Sequence, residues 1–271
     1  MAFGGPMNWS TNQRYIENFQ LPVRTGVADV SVEQSEDEGH FIVKTKTNGQ
    51  REESVSCRSV VIASSSQQTS KFPATRSRLP NDIVQLHTAD YHNAAALPPG
   101  AIVVVGSGKS GCQITEDFLS ASRTVFLCTS KVGRAPRRYR GRDILGWWID
   151  MKFLDVTFAS LEDKAISRTP QPQVSGLGRY GHSVSPLRRL NLCEAKVRTV
   201  IWATGFTSDF SWIHLPVLDA ESRPIYQRGI SPVRDLYFIG FPWLSSRKSG
   251  IIYGIDEDAH YIADANSEQL A

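Results

Sequence analysis

The sequence has few cysteines, no long apolar run and no large excess of one charge. Its cysteines lie far apart, without a C-x-x-C pair or a histidine at metal-ligand spacing, which argues against a disulfide scaffold and against a zinc site. Such cysteine usage is typical of a reducing compartment, so we predict a cytoplasmic protein without a bound metal. The four cysteines are Cys57, Cys112, Cys128 and Cys193.

No segment of the sequence has the length of a membrane helix. The longest apolar runs, such as Ala101–Val105 and Leu236–Ile239, are far shorter than the roughly 20 residues that cross a bilayer. The first residues (MAFGGPMNWS) have neither the basic region nor the apolar region of a signal peptide. We therefore predict no membrane partner.

The composition is that of a globular protein, with 41% hydrophobic and 21% charged residues in a chain of 271, enough for one large domain or two ordinary ones. The net charge is only +3, yet six basic residues without an acid fall between Lys131 and Arg142. This segment lacks a recognisable nucleic-acid fold, so no nucleic-acid partner is predicted. The six residues are Lys131, Arg134, Arg137, Arg138, Arg140 and Arg142.

The first 63 residues predict a helix, an antiparallel meander and a buried strand. Ser10 and Gln13 have the spacing of a capping box, so a short helix is expected to begin there. Three segments of alternating polarity follow, and Asn48-Gly49 between the last two is a strong hairpin signal. The apolar run Ser59–Ala63 is typical of a strand buried on both faces. The alternating segments are Val30–Val32, Phe41–Val43 with Thr45, and Val55–Cys57.

Beyond residue 100 the pattern changes to strand, glycine-rich turn, helix and strand, which predicts a βαβ unit. Residues 168–190 are rich in Pro, Gly, Ser and Arg, so an irregular loop is expected there. The parts of the βαβ unit are Ala101–Val105, 111–120 and Thr124–Cys128.

The C-terminal third predicts two more strands and a final helix. The apolar runs Val197–Ala203 and Leu236–Ile239 are the strands. The helix is expected at about residues 256–265, with one apolar face. That face is expected to carry Ile255, Ala259 and Ile262.

A glycine motif stands at the turn of the βαβ unit. The run GSGKSG reads G-x-G-x-x-G directly after the predicted strand and at the start of the predicted helix. The first glycine makes the tight turn, the second lets the backbone approach a pyrophosphate, and the third allows close helix–strand packing. The N–H groups of the helix N-terminus would face the negative charge; the alternative is a glycine turn that binds nothing. The predicted cofactor-binding residues are Gly106, Ser107, Gly108, Lys109, Ser110 and Gly111.

The end of the second strand indicates which dinucleotide fits. An NAD-preferring site places an acid there, about 20 residues after the motif, but the sequence continues Cys128-Thr129-Ser130-Lys131. Hydroxyls and cations suit a ribose 2′-phosphate, so NADPH is favoured over NADH. The alternative is a basic loop that is solvated or contacts its own chain. The candidates for the phosphate contact are Thr129, Ser130, Lys131 and Arg134.

Four runs together resemble the class B flavin-dependent monooxygenases, which include the flavin-containing, Baeyer–Villiger and indole-pyruvate monooxygenases. The bacterial branch labelled as flavoproteins involved in K+ transport is the most similar, and LYFIGFPWLSSRKSG with the last helix fits it as well. The resemblance spans most of the chain. The four runs are VVVGSGKSGCQITEDF, LHTADY, PRRYRGRDILGWW and VIWATGF.

The resemblance implies a Rossmann-like α/β flavoprotein with two dinucleotide-binding domains, together with the small antiparallel meander. NADPH and FAD would be the cofactors, and O2 and a small organic substrate the reactants; no catalytic side chain is predicted, because the flavin carries the oxygen chemistry. His87 and Tyr91 match the H-x-x-x-Y end of the family fingerprint. Thr204 and Gly205 match its A-T-G turn between domains and are further candidate cofactor-binding residues.

The implied domains are a partial FAD-type domain at residues 1–66, an NADPH-binding domain at 67–203, and a return to the FAD-type domain at 204–271. The FAD-type domain is expected to be incomplete, because no G-x-G-x-x-G precedes Gly106. The segment between Gly106 and Gly205 is also shorter than in the family, and Ala63-Ser64-Ser65 stands where its first A-T-G turn belongs. The sequence thus resembles the family in an N-terminally and internally truncated form.

Two functions remain open at this point. One is an NADPH- and FAD-dependent monooxygenase-type oxidoreductase. The other is a truncated NADP(H)-binding chain without flavin or activity of its own, or one half of a flavoprotein of two chains. The oligomeric state is not predicted.

Overall fold

The computed structural model describes residues 9–36, 39–47, 51–65, 67–129, 134–168, 173–175 and 189–270. Two compact units are formed, one by Met1–Val60 with Ser211–Pro216 and the other by Val61–Phe210 with Val217–Ala271. The predicted Asn48-Gly49 turn and most of the predicted loop at 168–190 lie outside the described residues.

The first unit contains the predicted helix and meander. Strand β1 pairs with β2, and β2 with β3, both antiparallel. Val32 and Phe41 are its most buried apolar residues, and Val32 also forms a parallel bridge with Ile213. Both predictions are confirmed. The elements are α1 (Trp9–Asn18), β1 (Val27–Gln34), β2 (Phe41–Thr47) and β3 (Arg51–Cys57).

The second unit is built on a parallel sheet of four strands in the order β6-β13-β7-β8. The predicted βαβ unit is confirmed as β7, α2 and β8. The elements of this unit in chain order are β4 (Val60–Ile62), β5 (Thr69–Ser70), β6 (Val84–His87), β7 (Ala101–Val105), α2 (Lys109–Ser120), β8 (Val125–Cys128), β9 (Arg134–Pro136), β10 (Arg138–Tyr139), β11 (Arg142–Asp143), α3 (Ile144–Asp150), β12 (Gln173–Ser175), β13 (Val197–Trp202), β14 (Phe206–Thr207), β15 (Leu236–Phe238) and α4 (Ile252–Leu270).

Both faces of the parallel sheet are apolar, as expected of a sheet covered on both sides. One face carries a cluster around Val103, Val200 and Trp202. The other carries Ile102, Val104 and Ile201, which pack with Ile114 and Phe118 of α2. The strands β7 and β13 are therefore fixed on both faces, which gives their ends defined positions.

Four small ribbons complete the second unit: β4 with β15, β5 with β14, β9 with β12, and β10 with β11. The prediction that Ser59–Ala63 is buried on both faces is wrong, because Val61 is 48% exposed. Its strand is short and pairs, within the described residues, with β15 alone. The prediction of an irregular loop at 168–190 is also wrong at Gln173–Ser175, which pairs in parallel with Arg134–Pro136.

The final helix α4 is longer than predicted, and it is rotated relative to the predicted face. Ile262 is buried as expected, but Ile255 is 38% exposed. The buried row is Gly254, Asp258 and Ile262. The reason is a close approach, since a Cβ on Gly254 would lie 2.5 Å from the carbonyl oxygen of Lys248. No helix in the described part of the chain could cross a membrane.

Candidate dinucleotide site

The four parallel strands of the second unit end in register at one edge of the sheet. His87 pairs with Trp202, Trp202 with Val105, and Val105 with Cys128. The chain leaves β7 toward β8 on one side, while β13 lies on the other side, so the strand order reverses between β7 and β13. Ligands of open α/β sheets bind at such a point, outside the carboxyl ends of the strands.

Gly106 and Gly111 are required by the packing of the loop itself. Gly106 has a φ of +112°, and a Cβ there would lie 2.2 Å from the carbonyl oxygen of Ala203. A Cβ on Gly111 would lie 2.0 Å from the carbonyl oxygen of Gly106 and 3.1 Å from the Cβ of Ala203. No side chain fits at either position without a shift of backbone. Their roles as turn glycine and packing glycine are those expected from the motif.

Gly108 differs from both, because no described atom lies within 4 Å of where its Cβ would be. It is the N-cap of α2, and no side chain of the described residues caps the helix there. The first turn of α2 carries no acid, and the positive end of the helix dipole lies at this turn, beside the open space at Gly108. A pyrophosphate fits this cradle, which a Cβ at Gly108 would fill.

The other residues of the motif are placed at the same turn. Lys109 and Ser110 are exposed in the first turn of α2, whereas Ser107 is buried. The thiol of Cys112 donates to the carbonyl oxygen of Ser107 at 3.5 Å, and Thr115 Oγ1 donates to that of Gly111 at 2.7 Å. These two hydrogen bonds attach the loop to the first turns of α2.

The four candidates for the 2′-phosphate contact are described to different extents. Thr129 is exposed and directly follows β8 at the carboxyl edge. Ser130 and Lys131 lie outside the described residues. The backbone of Arg134 begins β9 and pairs with Gln173, while its side chain is not described.

The downstream arginines of the basic segment are engaged by their own chain. The guanidinium of Arg137 lies 2.8 Å from Asp143, and that of Arg142 pairs with Asp150. The hydrogen bond from Arg142 holds the pKa of Asp150 below its ordinary value. Arg138 donates to the carbonyl oxygen of Gly141 at 2.8 Å. Much of the local positive charge is therefore balanced or bonded without a ligand.

The turn at Thr204-Gly205 follows β13 and lies beside the glycine loop. Gly205 has a φ of +80°, which favours glycine. Its carbonyl oxygen accepts the N–H of Lys71 at 3.0 Å and Nε2–H of His87 at 2.9 Å, and Thr204 Oγ1 donates to the carbonyl oxygen of Lys71. The turn is therefore held by hydrogen bonds from two distant segments.

His87 is fully buried at the end of β6. Its Nδ1 accepts the backbone N–H of Ala89 at 3.2 Å, so Nε2 carries the hydrogen that is donated to Gly205. Phe72 and Phe206 pack edge-on against the ring at 5.4 and 4.9 Å between centroids. These contacts are those of a hydrogen-bonded histidine that holds the turn in place.

Tyr91, the other fingerprint residue, lies away from the strand ends. Its hydroxyl donates to Asp117 of α2, which also accepts the backbone N–H of Ala94 at 3.2 Å. Burial, and then the hydrogen bond to Asp117, raises the pKa of Tyr91 above its ordinary value. Tyr91 therefore attaches the segment after β6 to α2 and does not line the edge.

Two residues of this edge were missed by sequence reasoning. Ala203 lies under Gly106 and Gly111, and Lys71 binds the turn at 204–205 through its backbone. Ala203 belongs to the A-T-G run, so a signal existed for it. Nothing in the sequence around Lys71 indicated its contact.

A second cradle for a flavin pyrophosphate is not found in the part of the chain that the structure describes. Gly106–Gly111 is the one G-x-G-x-x-G run between a strand and a helix among these residues. The described residues thus offer one loop with the geometry that binds the pyrophosphate of a dinucleotide.

Comparison with known proteins places the chain in a family. Residues 8–137 match the family model described as L-lysine 6-monooxygenase/L-ornithine 5-monooxygenase. A CzcO-like oxidoreductase of Geobacillus kaustophilus is 34% identical over 264 residues, which cover 92% of this chain and 74% of that protein. The CzcO oxidoreductase of Bacillus subtilis is 31% identical, with 92% and 75% covered.

This chain is a CzcO-like member of the class B flavin-dependent monooxygenase family. The expected family is confirmed, and by family the chain is an oxidoreductase of the flavin-dependent monooxygenase type.

Solved structures share the fold of this CzcO-like chain at low sequence identity. A flavin-containing monooxygenase from Stenotrophomonas maltophilia has a TM-score of 0.68 at 17% identity, with 97% of this chain and 76% of that chain covered. The reduced form of an ornithine hydroxylase from Pseudomonas aeruginosa has a TM-score of 0.68 at 15% identity, with 98% and 77% covered. The expected Rossmann-like α/β fold class is confirmed.

Proposed function

We propose that this CzcO-like chain binds NADPH at the Gly106–Gly111 loop and serves an NADPH- and FAD-dependent oxidoreductase reaction of the monooxygenase type on a small organic substrate. The observation that carries the proposal is the contrast within the loop. Gly106 and Gly111 are filled by the protein, whereas Gly108 faces open space at the N-terminus of α2. That space is where a pyrophosphate would be bound.

The roles assigned to the chain's own residues follow from this placement. The N–H groups of Gly108 to Gly111 would bind the pyrophosphate, and Thr129, Ser130, Lys131 and Arg134 would provide the 2′-phosphate contact. Thr204 and Gly205 would form the turn that borders the cofactor beside the loop. NADPH, when bound, supplies a hydride; the protein supplies binding and orientation.

The domain assignment is part of the same proposal. Residues 67–203 would form the NADPH-binding domain, and residues 1–66 and 204–271 would form the FAD-type part. We also place the protein in the cytoplasm, on the basis of its cysteine usage.

A second candidate function rests on the glycine loops. The described residues contain one such loop, and in this second candidate the chain binds NADP(H) there without a flavin reaction of its own. A flavin part would then come from another polypeptide, or the chain would be a binding protein only.

The first test is a titration of the purified chain with NADPH and NADH, for the wild type and for Gly108→Val. We expect the wild type to bind NADPH more tightly than NADH, and the variant to lose at least about tenfold in NADPH affinity, or about 1.4 kcal/mol. The variant should unfold near the wild-type temperature, because no described atom lies within 4 Å of a Cβ at this position. Ala121→Val, at the other end of α2, is the control and should bind as the wild type does. Unchanged binding by Gly108→Val would contradict the assignment.

The second test separates the two candidate functions. The chain is mixed with excess FAD and desalted, and its spectrum is recorded between about 300 and 600 nm. A retained flavin band, with NADPH consumption under air, supports the complete oxidoreductase. A spectrum without the band, from a chain that binds NADPH, supports the second candidate.

A further inference from the structure

The glycine loop rests on a residue that is distant in sequence. Ala203, directly after β13, places its carbonyl oxygen 2.2 Å from where a Cβ of Gly106 would be, and its own Cβ 3.1 Å from where a Cβ of Gly111 would be. The loop therefore contacts Ala203 through backbone, with no side chain between them. The position of Ala203 defines how closely Gly106 and Gly111 can approach the sheet.

Ala203 is itself held from both sides. Its N–H donates to the carbonyl oxygen of Val105 at 2.8 Å, which extends the pairing of β13 with β7 beyond the strand. The next two residues are bound to Lys71 and to His87, as described above. Because this turn cannot retreat without breaking these hydrogen bonds, a larger side chain at position 203 must displace the loop instead.

We propose that Ala203 is a positioning residue for the pyrophosphate of NADPH. Its small side chain and its carbonyl oxygen set the distance between the end of the sheet and the glycines Gly106 and Gly111. At this distance the first turn of α2 is placed to bind a pyrophosphate in the open space beside Gly108. The inference rests on the proposed function, since it concerns the same site. A longer side chain at position 203 lifts the loop and misaligns that first turn, and it leaves the contacts of the 2′-phosphate in place.

The alternative role is simple core packing, in which a larger residue lowers stability and affects binding only through unfolding. Two features distinguish it. Core packing predicts the same effect for a matched alanine elsewhere in the sheet. It also predicts no difference between a ligand with a pyrophosphate and one without it.

The experiment measures dissociation constants of NADPH and of adenosine 2′-monophosphate, which carries the 2′-phosphate and lacks the pyrophosphate. The variants are Ala203→Val and the smaller change Ala203→Ser. Ala101→Val is the control, because Ala101 is buried in the same sheet, more deeply than the partly buried Ala203, and lies at the opposite end of β7. All titrations are made well below the unfolding temperature of each variant, so that the folded state is compared.

We expect Ala203→Val to weaken NADPH binding at least about tenfold, equal to about 1.4 kcal/mol, and Ala203→Ser to weaken it less. Binding of adenosine 2′-monophosphate should remain within about twofold of wild type for both, and Ala101→Val should bind NADPH as the wild type does. If Ala203→Val does not fold, Ala203→Ser decides.

Three outcomes would overturn the inference. The first is unchanged NADPH affinity in the folded variants at position 203. The second is an equal loss for adenosine 2′-monophosphate, and the third is an equal loss in Ala101→Val. Failure of the proposed function itself would be seen in the wild type, as a chain that binds no NADPH. The three outcomes above concern the variants and are therefore distinguishable from it.

Discussion

The glycine loop and the basic segment after β8 both indicated anion binding in the sequence. In the structure, the loop leaves space for a ligand, whereas arginines of the basic segment are paired with acids of the chain. In the loop, the protein occupies the space at Gly106 and Gly111 and leaves it open at Gly108. In the basic segment, Arg137 and Arg142 pair with Asp143 and Asp150. The glycine motif has a geometry set by neighbouring residues, so the fold preserves it. Whether a basic residue is available to a ligand depends instead on the acids that the fold places beside it.

The largest expected effect is on folding and comes from Gly111→Ala. The added methyl group would lie 2.0 Å from a backbone oxygen, so the loop or α2 must shift. Overpacking of this kind typically costs about 1–3 kcal/mol. Urea unfolding should show this loss for Gly111→Ala and almost none for the matched Gly108→Ala. Equal stability of the two variants would contradict the distinction between filled and open glycines.

The next effect concerns cofactor choice and uses Thr129→Asp. A carboxylate at the end of β8 would repel the 2′-phosphate of NADPH, and it would accept a hydrogen bond from the ribose 2′-hydroxyl of NADH. We expect the ratio of the two dissociation constants to move toward NADH by about tenfold, or about 1.4 kcal/mol. Thr124→Asp, an exposed change just before the other end of β8, is the control. A preference that stays the same in both variants would remove Thr129 from the site.

The smallest effect is expected from Arg142→Gln. Because Arg142 is paired with Asp150, its loss should leave NADPH affinity within about twofold of wild type. Its exposed ion pair should contribute little to stability, and Asp150→Asn should lower the unfolding temperature by a similarly small amount. A clear loss of NADPH binding in Arg142→Gln would show that the basic segment takes part in the site after all.

The same pair has a predictable pH dependence. The pKa of Asp150 is lowered in the folded protein, so its contribution is present above the ordinary pKa of an aspartate and is lost as the pH falls through the lowered value. The small difference in unfolding temperature between wild type and Arg142→Gln should therefore vanish in acid. A difference that grows as the pH falls would contradict this origin.

The parts of the fold that sequence reasoning predicted correctly are those with local signals. The βαβ unit around residues 101–128 and the meander of the first unit have short connections and clear periodicity, so their pairings follow from neighbouring residues. The errors occur where the packing of an element against its surroundings decides, which periodicity does not encode. Val61 is exposed because its strand has one described partner, and α4 is rotated because Gly254 must approach Lys248.

The sequence by itself determined the family, the fold class and the glycine loop, because glycine conformations and apolar periodicity act over a few residues. Only the tertiary structure decided what surrounds that loop. The contact of Ala203 with Gly106 and the hydrogen bond of His87 to Gly205 join residues from separate parts of the chain. Such contacts depend on how whole elements pack. The A-T-G run marks Ala203 as part of a turn, but it does not encode which loop that turn contacts.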